Sequence, residues 1–174
     1  MNRAWAWAPL AALVLLVAAA GLVLIGGGER ETVTDGRIGR ALSAYALTPL
    51  DPGPELTPEA FAGRAYVINV FASWCGPCRA EHPHLMAMQA NGVEILGVAY
   101  KDRPGAAARF LNELGDPFSA VALDPQGRFG LELGMAGVPE TFVVGADGAI
   151  RAVHRGPLTA EIVAEEIMPA LAAN

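Results

Sequence analysis

The feature that most constrains the fold is a Cys-x-x-Cys pair placed directly after a short apolar run. The run, YVINVF at 66–71, is β-branched and aromatic, and only ASW separates it from Cys75. Such a run is typical of a strand buried on both faces at the centre of a sheet. The two cysteines of the chain, Cys75 and Cys78, then open a predicted helix at 77–89. The pattern therefore predicts a buried central strand that leads directly into a helix with the cysteine pair at its start.

The remaining hydrophobic pattern predicts a mixed β-sheet flanked by helices. After the cysteine motif the predicted elements are a strand at 93–100, a helix at 105–114, a strand at 120–124, a hairpin at 141–156 and a helix at 158–171. Alternating strands and helices indicate parallel pairing, whereas the tight turn at ADG indicates an antiparallel hairpin. The predicted fold class is therefore α/β, with helices on both faces of one sheet.

The cysteine pair has two alternative structural interpretations, a permanent disulfide and a zinc site, besides an interpretation as a redox couple. A disulfide between Cys75 and Cys78 closes a very short loop, so as a permanent staple it would stabilise the fold little. Zinc is a second possibility, because His82 and His84 follow in the same predicted helix. Structural zinc sites usually take ligand pairs from two separate segments, and residues two apart on a helix point in different directions. We therefore predict no metal site.

A redox use explains more of the motif. Cys75 falls at the helix N-terminus, where unpaired amide groups and the helix dipole favour a thiolate over a thiol. Cys75 is the predicted exposed nucleophile, and Cys78, one turn later, is the predicted resolving thiol. Trp74 is expected to cover one side of the pair, and Pro77 to preset the helical backbone. The redox centre is then the Cys75–Cys78 disulfide itself, with no other cofactor.

The sequence WCGPC after a buried strand resembles thioredoxin. Pro83 matches the helix-kinking proline of thioredoxin-like domains, and Val138-Pro139, in GVPETF, matches the cis-proline loop of the family. The resemblance implies that the backbone of Val138 pairs with a substrate peptide beside Cys75. One position departs from the family pattern, because Asn69 stands where thioredoxin has a buried acid that accepts protons during exchange.

Longer motifs narrow the resemblance to one branch. The stretches NVFASWCGPCRAEHP, GVAYKD, DPQGRFGLELGMAGVPETFVV and GAIRAVHRGPLT together resemble the cytochrome c maturation thiol:disulfide interchange proteins, the CcmG/DsbE group. The resemblance implies a reductase that takes electrons from a membrane thiol transporter of the DsbD or CcdA type. It also implies the substrates, which are disulfide-bonded haem-binding cysteines of apocytochrome c or the thiol proteins that act with it.

The same resemblance assigns tuning roles to two acids, Glu81 and Glu140. Glu81 follows Cys78 by three residues on the predicted helix, and Glu140 directly follows Pro139. A nearby carboxylate disfavours a thiolate. Because a strongly oxidising pair owes that character to a stabilised thiolate, acids near Cys75 would make the pair a better reductant. The alternative interpretation is that both acids are ordinary surface charges.

The N-terminal segment is apolar enough to cross a membrane. No charged residue occurs between 4 and 28, and about twenty apolar residues span the hydrocarbon core as a helix. We expect a transmembrane signal anchor at 1–28, a linker at 29–37 and a thioredoxin-like domain at 38–174. A cleaved signal peptide is the alternative, although its apolar region is usually shorter, roughly 7–15 residues. The expected location is the bacterial inner membrane with the domain in the periplasm, whereas the count of flanking Lys and Arg favours the reverse orientation.

Other functions fit the sequence less well. The net charge of −6 opposes nucleic-acid binding, which needs a basic face. A peroxidase of the peroxiredoxin type requires a Thr and a Pro before its reactive cysteine, and FASWCGPC lacks them. Two alternatives stay open: a TlpA- or ResA-like reductase that serves another metalloprotein, and a non-catalytic binding or scaffold protein of the maturation machinery. His154, a conceivable haem ligand, is interpreted as an ordinary strand residue.

Overall fold

The computed structural model describes residues 35–173, together with Leu13, Val14 and Leu16, which are helical and exposed. The remainder of the predicted signal anchor, 1–28, and the first part of the predicted linker lie outside the described residues. Among the residues that are described, no helix is both long and apolar enough to cross a membrane. The chain divides into two units between Thr34 and Asp35, slightly before the expected start of the domain.

The second unit contains strands and helices in alternation. In chain order the elements are β1 (Thr48–Pro49), a 3-10 turn (Pro58–Phe61), β2 (Tyr66–Phe71), α1 (Gly76–Ala90), β3 (Ile95–Tyr100), α2 (Pro104–Leu114), β4 (Ala120–Asp124), α3 (Arg128–Glu132), β5 (Glu140–Val144), β6 (Ile150–Arg155), α4 (Ala160–Ile162), a π-helical turn (Val163–Ile167) and α5 (Met168–Ala172). The predicted strands and helices are confirmed except that the last helix is interrupted, and their ends move by a few residues at most.

One six-stranded sheet has the order β1-β4-β3-β2-β5-β6. The strands β2, β3 and β4 are parallel, whereas β1, β5 and β6 pair antiparallel to their neighbours. All six residues of β2 are buried, as its uninterrupted apolar run predicts. The predicted mixed sheet is therefore confirmed, with the strand that leads into Cys75 near its centre.

Apolar side chains cover both faces of the sheet. On one face, α1, α2 and the C-terminal helical segment pack against side chains of β2 and β3, including Val67, Phe71 and Ile95. On the other face, α3 and the segment before β2 pack against Ile68 and Val70 and their neighbours. Successive side chains of a strand point to opposite faces, so β2 contributes to both cores.

Three elements were not anticipated by the sequence pattern. The strand β1 has two residues and α3 has five, so neither is long enough to show a period. Gly127, which precedes α3, has a φ of +72°, and a Cβ there would lie 2.6 Å from Cε of Lys101. The predicted helix at 158–171 is interrupted by the π-helical turn, a change of hydrogen bonding that the hydrophobic period does not reveal.

Candidate active site

The two cysteines form a disulfide at the first turn of α1. Cys75 is the N-cap residue, in an extended conformation with φ −91° and ψ 110°, and the amide of Cys78 donates to its Sγ at 3.1 Å. Amide donors and the helix dipole at this position favour a thiolate on Cys75 when the pair is reduced. The exposed nucleophile expected from the sequence is corrected in one respect. In the disulfide form Cys75 is only 5% exposed and Cys78 is 1% exposed, because both pack into the core beside Phe71.

The loop that leads into Cys75 is held by Asp102. The Asp102 carboxylate accepts from the amide of Ser73 at 2.6 Å and from its hydroxyl at 3.0 Å, and it also accepts from the amide of Arg103 at 2.8 Å. The indole of Trp74 donates to the carbonyl of Lys101 at 3.3 Å and is 61% exposed. These hydrogen bonds connect the residues that follow β2 with those that follow β3, directly before the reactive cysteine. Pro77 lies exposed in the first turn of α1.

The peptide bond between Val138 and Pro139 is cis, as the resemblance to thioredoxin implies. The side chain of Val138 is half-buried and packs against the core that contains both cysteines. Neither the amide nor the carbonyl of Val138 pairs with another group in the described part of the chain. The carbonyl of Pro139, by contrast, accepts from the amide of Gly156 at 3.0 Å. Unpaired backbone groups beside the disulfide can pair with an extended peptide.

Glu81 is a buried acid held between the sheet and the C-terminal segment. Its side chain is fully buried, and its two oxygens accept from Nδ2 of Asn69 at 2.9 Å and from the amide of Leu158 at 2.9 Å. The Asn69 amide also donates to Oγ1 of Thr141 at 3.1 Å. Burial raises the pKa of Glu81, and the hydrogen bonds and the charge of His154 offset this in part. A buried acid of α1 therefore lies against Asn69.

Glu140 is also buried, but it lies on the opposite face of the sheet from Asn69. It is 1% exposed, and its carboxylate accepts from Nη2 of Arg37 at 3.0 Å and from the amide of Ala136 at 2.9 Å. A second arginine, Arg155, approaches at 3.4 Å. The interpretation of Glu81 and Glu140 as surface charges is therefore wrong for both. Strand alternation directs Glu140 away from the side on which Glu81 lies.

The histidines of α1 show no arrangement for zinc. The Nε2 atom of His82 lies 2.9 Å from the carbonyl oxygen of Gly115, and its ring meets Phe110 edge-on. Burial lowers the pKa of His82. Over the described residues, no cluster of three or more His, Cys, Asp or Glu side chains could hold a metal ion. The ring of His82 is engaged by the protein itself.

A family model for redoxin domains matches residues 37–168, most of the second unit and both cysteines. The chain belongs to the redoxin family. The match covers the sheet, α1 and the loop with Val138, so every element of the site lies inside the family region.

Relatives of this redoxin match it over most of their length. The thiol:disulfide interchange protein HelX of Rhodobacter capsulatus is 39% identical over 169 residues, which cover 94% of this chain and 96% of HelX. The thiol:disulfide interchange protein DsbE of Escherichia coli is 37% identical over 145 residues, 82% of this chain and 78% of DsbE. A crystal structure from Chlorobium tepidum, described as a thiol:disulfide interchange protein DsbE, matches with a TM-score of 0.68 and 28% identity over 77% of this chain and 97% of that chain. The resemblance to the DsbE group and the thioredoxin-like fold are confirmed, and this redoxin is a thiol:disulfide oxidoreductase.

Two residues of the site region were missed by sequence reasoning. Asp102 occurs in the motif GVAYKD, but its position after β3 was not connected with the loop before Cys75. The carboxyl ends of parallel neighbouring strands meet at one edge of the sheet, so this pairing could have been found. Arg37 was placed in the linker, and no local signal connects it with Glu140, which is far away in the chain.

Proposed function

We propose that this redoxin reduces disulfides of haem-binding cysteines during c-type cytochrome biogenesis. Its substrates are apocytochrome c or the thiol proteins of the maturation machinery that act on it. The similarity to HelX and DsbE over most of the chain supports this assignment. The observation that carries the direction of electron flow is the fully buried carboxyl of Glu81 on the helix that opens at Cys75.

The reaction proceeds in two successive thiol–disulfide exchange steps. In the reduced enzyme the thiolate of Cys75 attacks one sulfur of the substrate disulfide; that bond breaks, and the released substrate thiolate takes up a proton. The thiolate of Cys78 then attacks Sγ of Cys75 in the mixed disulfide and releases the second substrate thiol. The substrate gains two electrons and two protons, and the enzyme is left with the Cys75–Cys78 disulfide.

Glu81 favours reduction of the substrate over its oxidation. A carboxylate near the pair disfavours thiolate formation and opposes the helix N-terminus. A less stabilised thiolate makes the reduced form less stable, and hence a better electron donor. Asn69 and the amide of Leu158 hold the carboxyl of Glu81 in place through its two oxygens. These two contacts support the roles of Glu81 and Asn69 as tuning residues for the thiol pair.

The proposed setting is the periplasmic side of the bacterial inner membrane. The apolar segment at 1–28 serves as a single-pass signal anchor, and the electron donor is a membrane thiol transporter of the DsbD or CcdA type. Alkaline extraction of membranes, combined with protease treatment of spheroplasts, tests this placement. We expect the full chain to remain in the membrane fraction and the domain to be digested from outside. Release by alkali, or protection in intact spheroplasts, would contradict the proposal.

A deletion strain tests the physiological role. We expect the strain to lose c-type cytochromes, and the parent gene, but not the Cys75→Ser variant, to restore them. Normal cytochrome assembly with loss of a copper-containing oxidase would favour the TlpA- or ResA-like alternative. Full restoration by a variant lacking both cysteines would favour the scaffold alternative.

A further inference from the structure

A cluster of four charged side chains joins the first residues of the domain to the start of β5. We call it the N-terminal brace: Asp35, Arg37, Glu140 and Arg155. Arg37 binds Asp35 at 2.7 Å and Glu140 at 3.0 Å, and Arg155 binds Asp35 at 2.7 Å. The Arg37 guanidinium also lies 5.2 Å from the ring centre of Phe142, a core residue of β5. Residues expected in the linker are thus part of the domain.

The N-terminal brace contacts the segment that leads to Val138 at two points. The second oxygen of Glu140 accepts from the amide of Ala136, and Arg37 also donates to the carbonyl of Leu133. Between these contacts the chain runs without regular structure to Pro139. The amides of Gly134 and Met135 also donate to backbone carbonyls of α3, and among the described residues the contact of Glu140 with Ala136 is the polar contact that immediately precedes Val138.

Because Glu140 and Arg37 are largely buried, loss of the ion pair between them is expected to be costly. Glu140 is 1% exposed and the Arg37 side chain 16%, so solvent screens the pair weakly. A buried carboxylate that loses its cationic partner keeps its desolvation cost, and the structure around it rearranges. The Arg155 side chain is 54% exposed and lies farther from Glu140, so Arg37 is the principal partner. Hydrogen bonding to Arg37 holds the pKa of Asp35 well below its ordinary value, which keeps this end of the brace charged.

We propose that the N-terminal brace positions the 134–139 loop so that the backbone of Val138 can pair with a substrate peptide. Arg37 is then a positioning residue for substrate binding that acts through Glu140, and it takes no part in the thiol chemistry. The inference deepens the proposed function and rests on it. It also gives Glu140 a role that differs from tuning the thiols, because its carboxylate is committed to Arg37 and Ala136.

The test compares Arg37→Gln with the matched control Arg64→Gln in the full chain purified in detergent. Arg64 forms an ion pair with Glu94 away from this loop, so its loss removes a similar charge. The probe substrate is an oxidised peptide with the sequence pattern Cys-x-x-Cys-His, and a small aromatic disulfide reports thiol reactivity alone. For Arg37→Gln we expect the half-saturating peptide concentration to rise at least about fivefold. The maximal rate and the rate with the small disulfide should stay within about twofold of the parent.

Two further measurements keep the outcome decisive. Arg37→Lys retains the charge but not the forked geometry, so it should recover part of the peptide affinity. Hydrogen exchange at the Ala136 amide should accelerate in Arg37→Gln and not in Arg64→Gln. Unchanged half-saturation in Arg37→Gln, or an equal loss with the small disulfide, overturns the proposal. If the parent itself fails to reduce the peptide, the proposed function fails, and unchanged exchange at Ala136 then overturns the brace separately.

Discussion

The side-chain amide of Asn69 donates a 2.9 Å hydrogen bond to the carboxylate of Glu81, which joins the central strand β2 to the helix that carries Cys78. The second Glu81 oxygen accepts from the amide of Leu158, so three elements meet at one buried acid. Burial of a carboxyl costs free energy that the two donors offset, and a buried titratable group on the active-site helix indicates a role in the chemistry.

Replacement of Cys75 and replacement of Cys78 should both stop turnover, but at different steps of the reaction. Cys75→Ser removes the nucleophile, and we expect no detectable reduction of an oxidised peptide. Cys78→Ser leaves the nucleophile but not the resolving thiol, so a mixed disulfide with the substrate should accumulate. Mass spectrometry of the unreduced mixture measures that adduct. Accumulation of the adduct on Cys78 in the Cys75→Ser variant would reverse the two assignments.

Glu81→Gln should make the cysteine pair a weaker reductant. Removal of the carboxylate stabilises the thiolate of the reduced form, and about 1.4 kcal/mol of such stabilisation raises the reduction potential by about 30 mV. Equilibration with glutathione buffers, followed by thiol alkylation, measures the potential. Glu94→Gln is the control, because it removes an acid paired with Arg64 outside the site. A parent potential near that of DsbA, about −120 mV, instead of near that of thioredoxin, about −270 mV, would contradict the direction of electron flow.

Glu81 should also make stability depend on pH. Burial raises its pKa above the ordinary value of 4.5, so the folded state holds this proton more tightly than the unfolded chain does. The stabilisation is fully present below pH 4.5 and is lost as the pH rises through the folded pKa. Relative to Glu81→Gln, the parent should therefore lose up to about 1.4 kcal/mol of unfolding free energy per pH unit in that window. Urea unfolding at a series of pH values checks this, and parallel pH curves for the two proteins would refute it.

Asp102→Asn should loosen the loop before Cys75. Asparagine keeps one acceptor oxygen, whereas Asp102 receives three hydrogen bonds from Ser73 and Arg103 through two oxygens. We expect a loss of about 1–3 kcal/mol in unfolding free energy and faster hydrogen exchange at the Ser73 amide. The exposed Asp147→Asn, which breaks a contact with Arg151 in the β5–β6 turn, is the control and should change stability little. Equal effects of the two substitutions would show that the hydrogen bonds of Asp102 do not specifically hold the loop before Cys75.

Gly97→Ala should destabilise the sheet by overpacking. A Cβ on Gly97, in β3, would lie 2.7 Å from the ring of Phe118, which stacks on Phe71. Displacing that ring should cost about 1–3 kcal/mol in urea unfolding. Gly53→Ala is the matched control, because its Cβ would meet only ordinary contacts. Equal stability of the two variants would show that Phe118 relaxes freely.

Much of the fold could be predicted because its signals are local. The buried run of β2 has the same bounds, 66–71, in the prediction and in the structure, and β4 likewise matches at 120–124. The helix α1 begins beside its predicted start, with Cys75 as its cap. The short elements β1 and α3 were missed, because two or five residues are too few to show a hydrophobic period.

The sequence by itself determined the chemistry of this protein, since a cysteine pair at a helix N-terminus after a buried strand defines a redox couple within a dozen residues. Only the tertiary structure decided what surrounds that couple. The packing of α1 on the sheet and the alternation of side chains along β5 place Glu81 and Glu140 on opposite faces of the sheet, the first bound by Asn69 and the second by Arg37. Asn69 and Glu81 are separated by 12 residues and Arg37 and Glu140 by 103, and only the packing of α1 and of the N-terminal residues against the folded sheet brings each pair within hydrogen-bond distance.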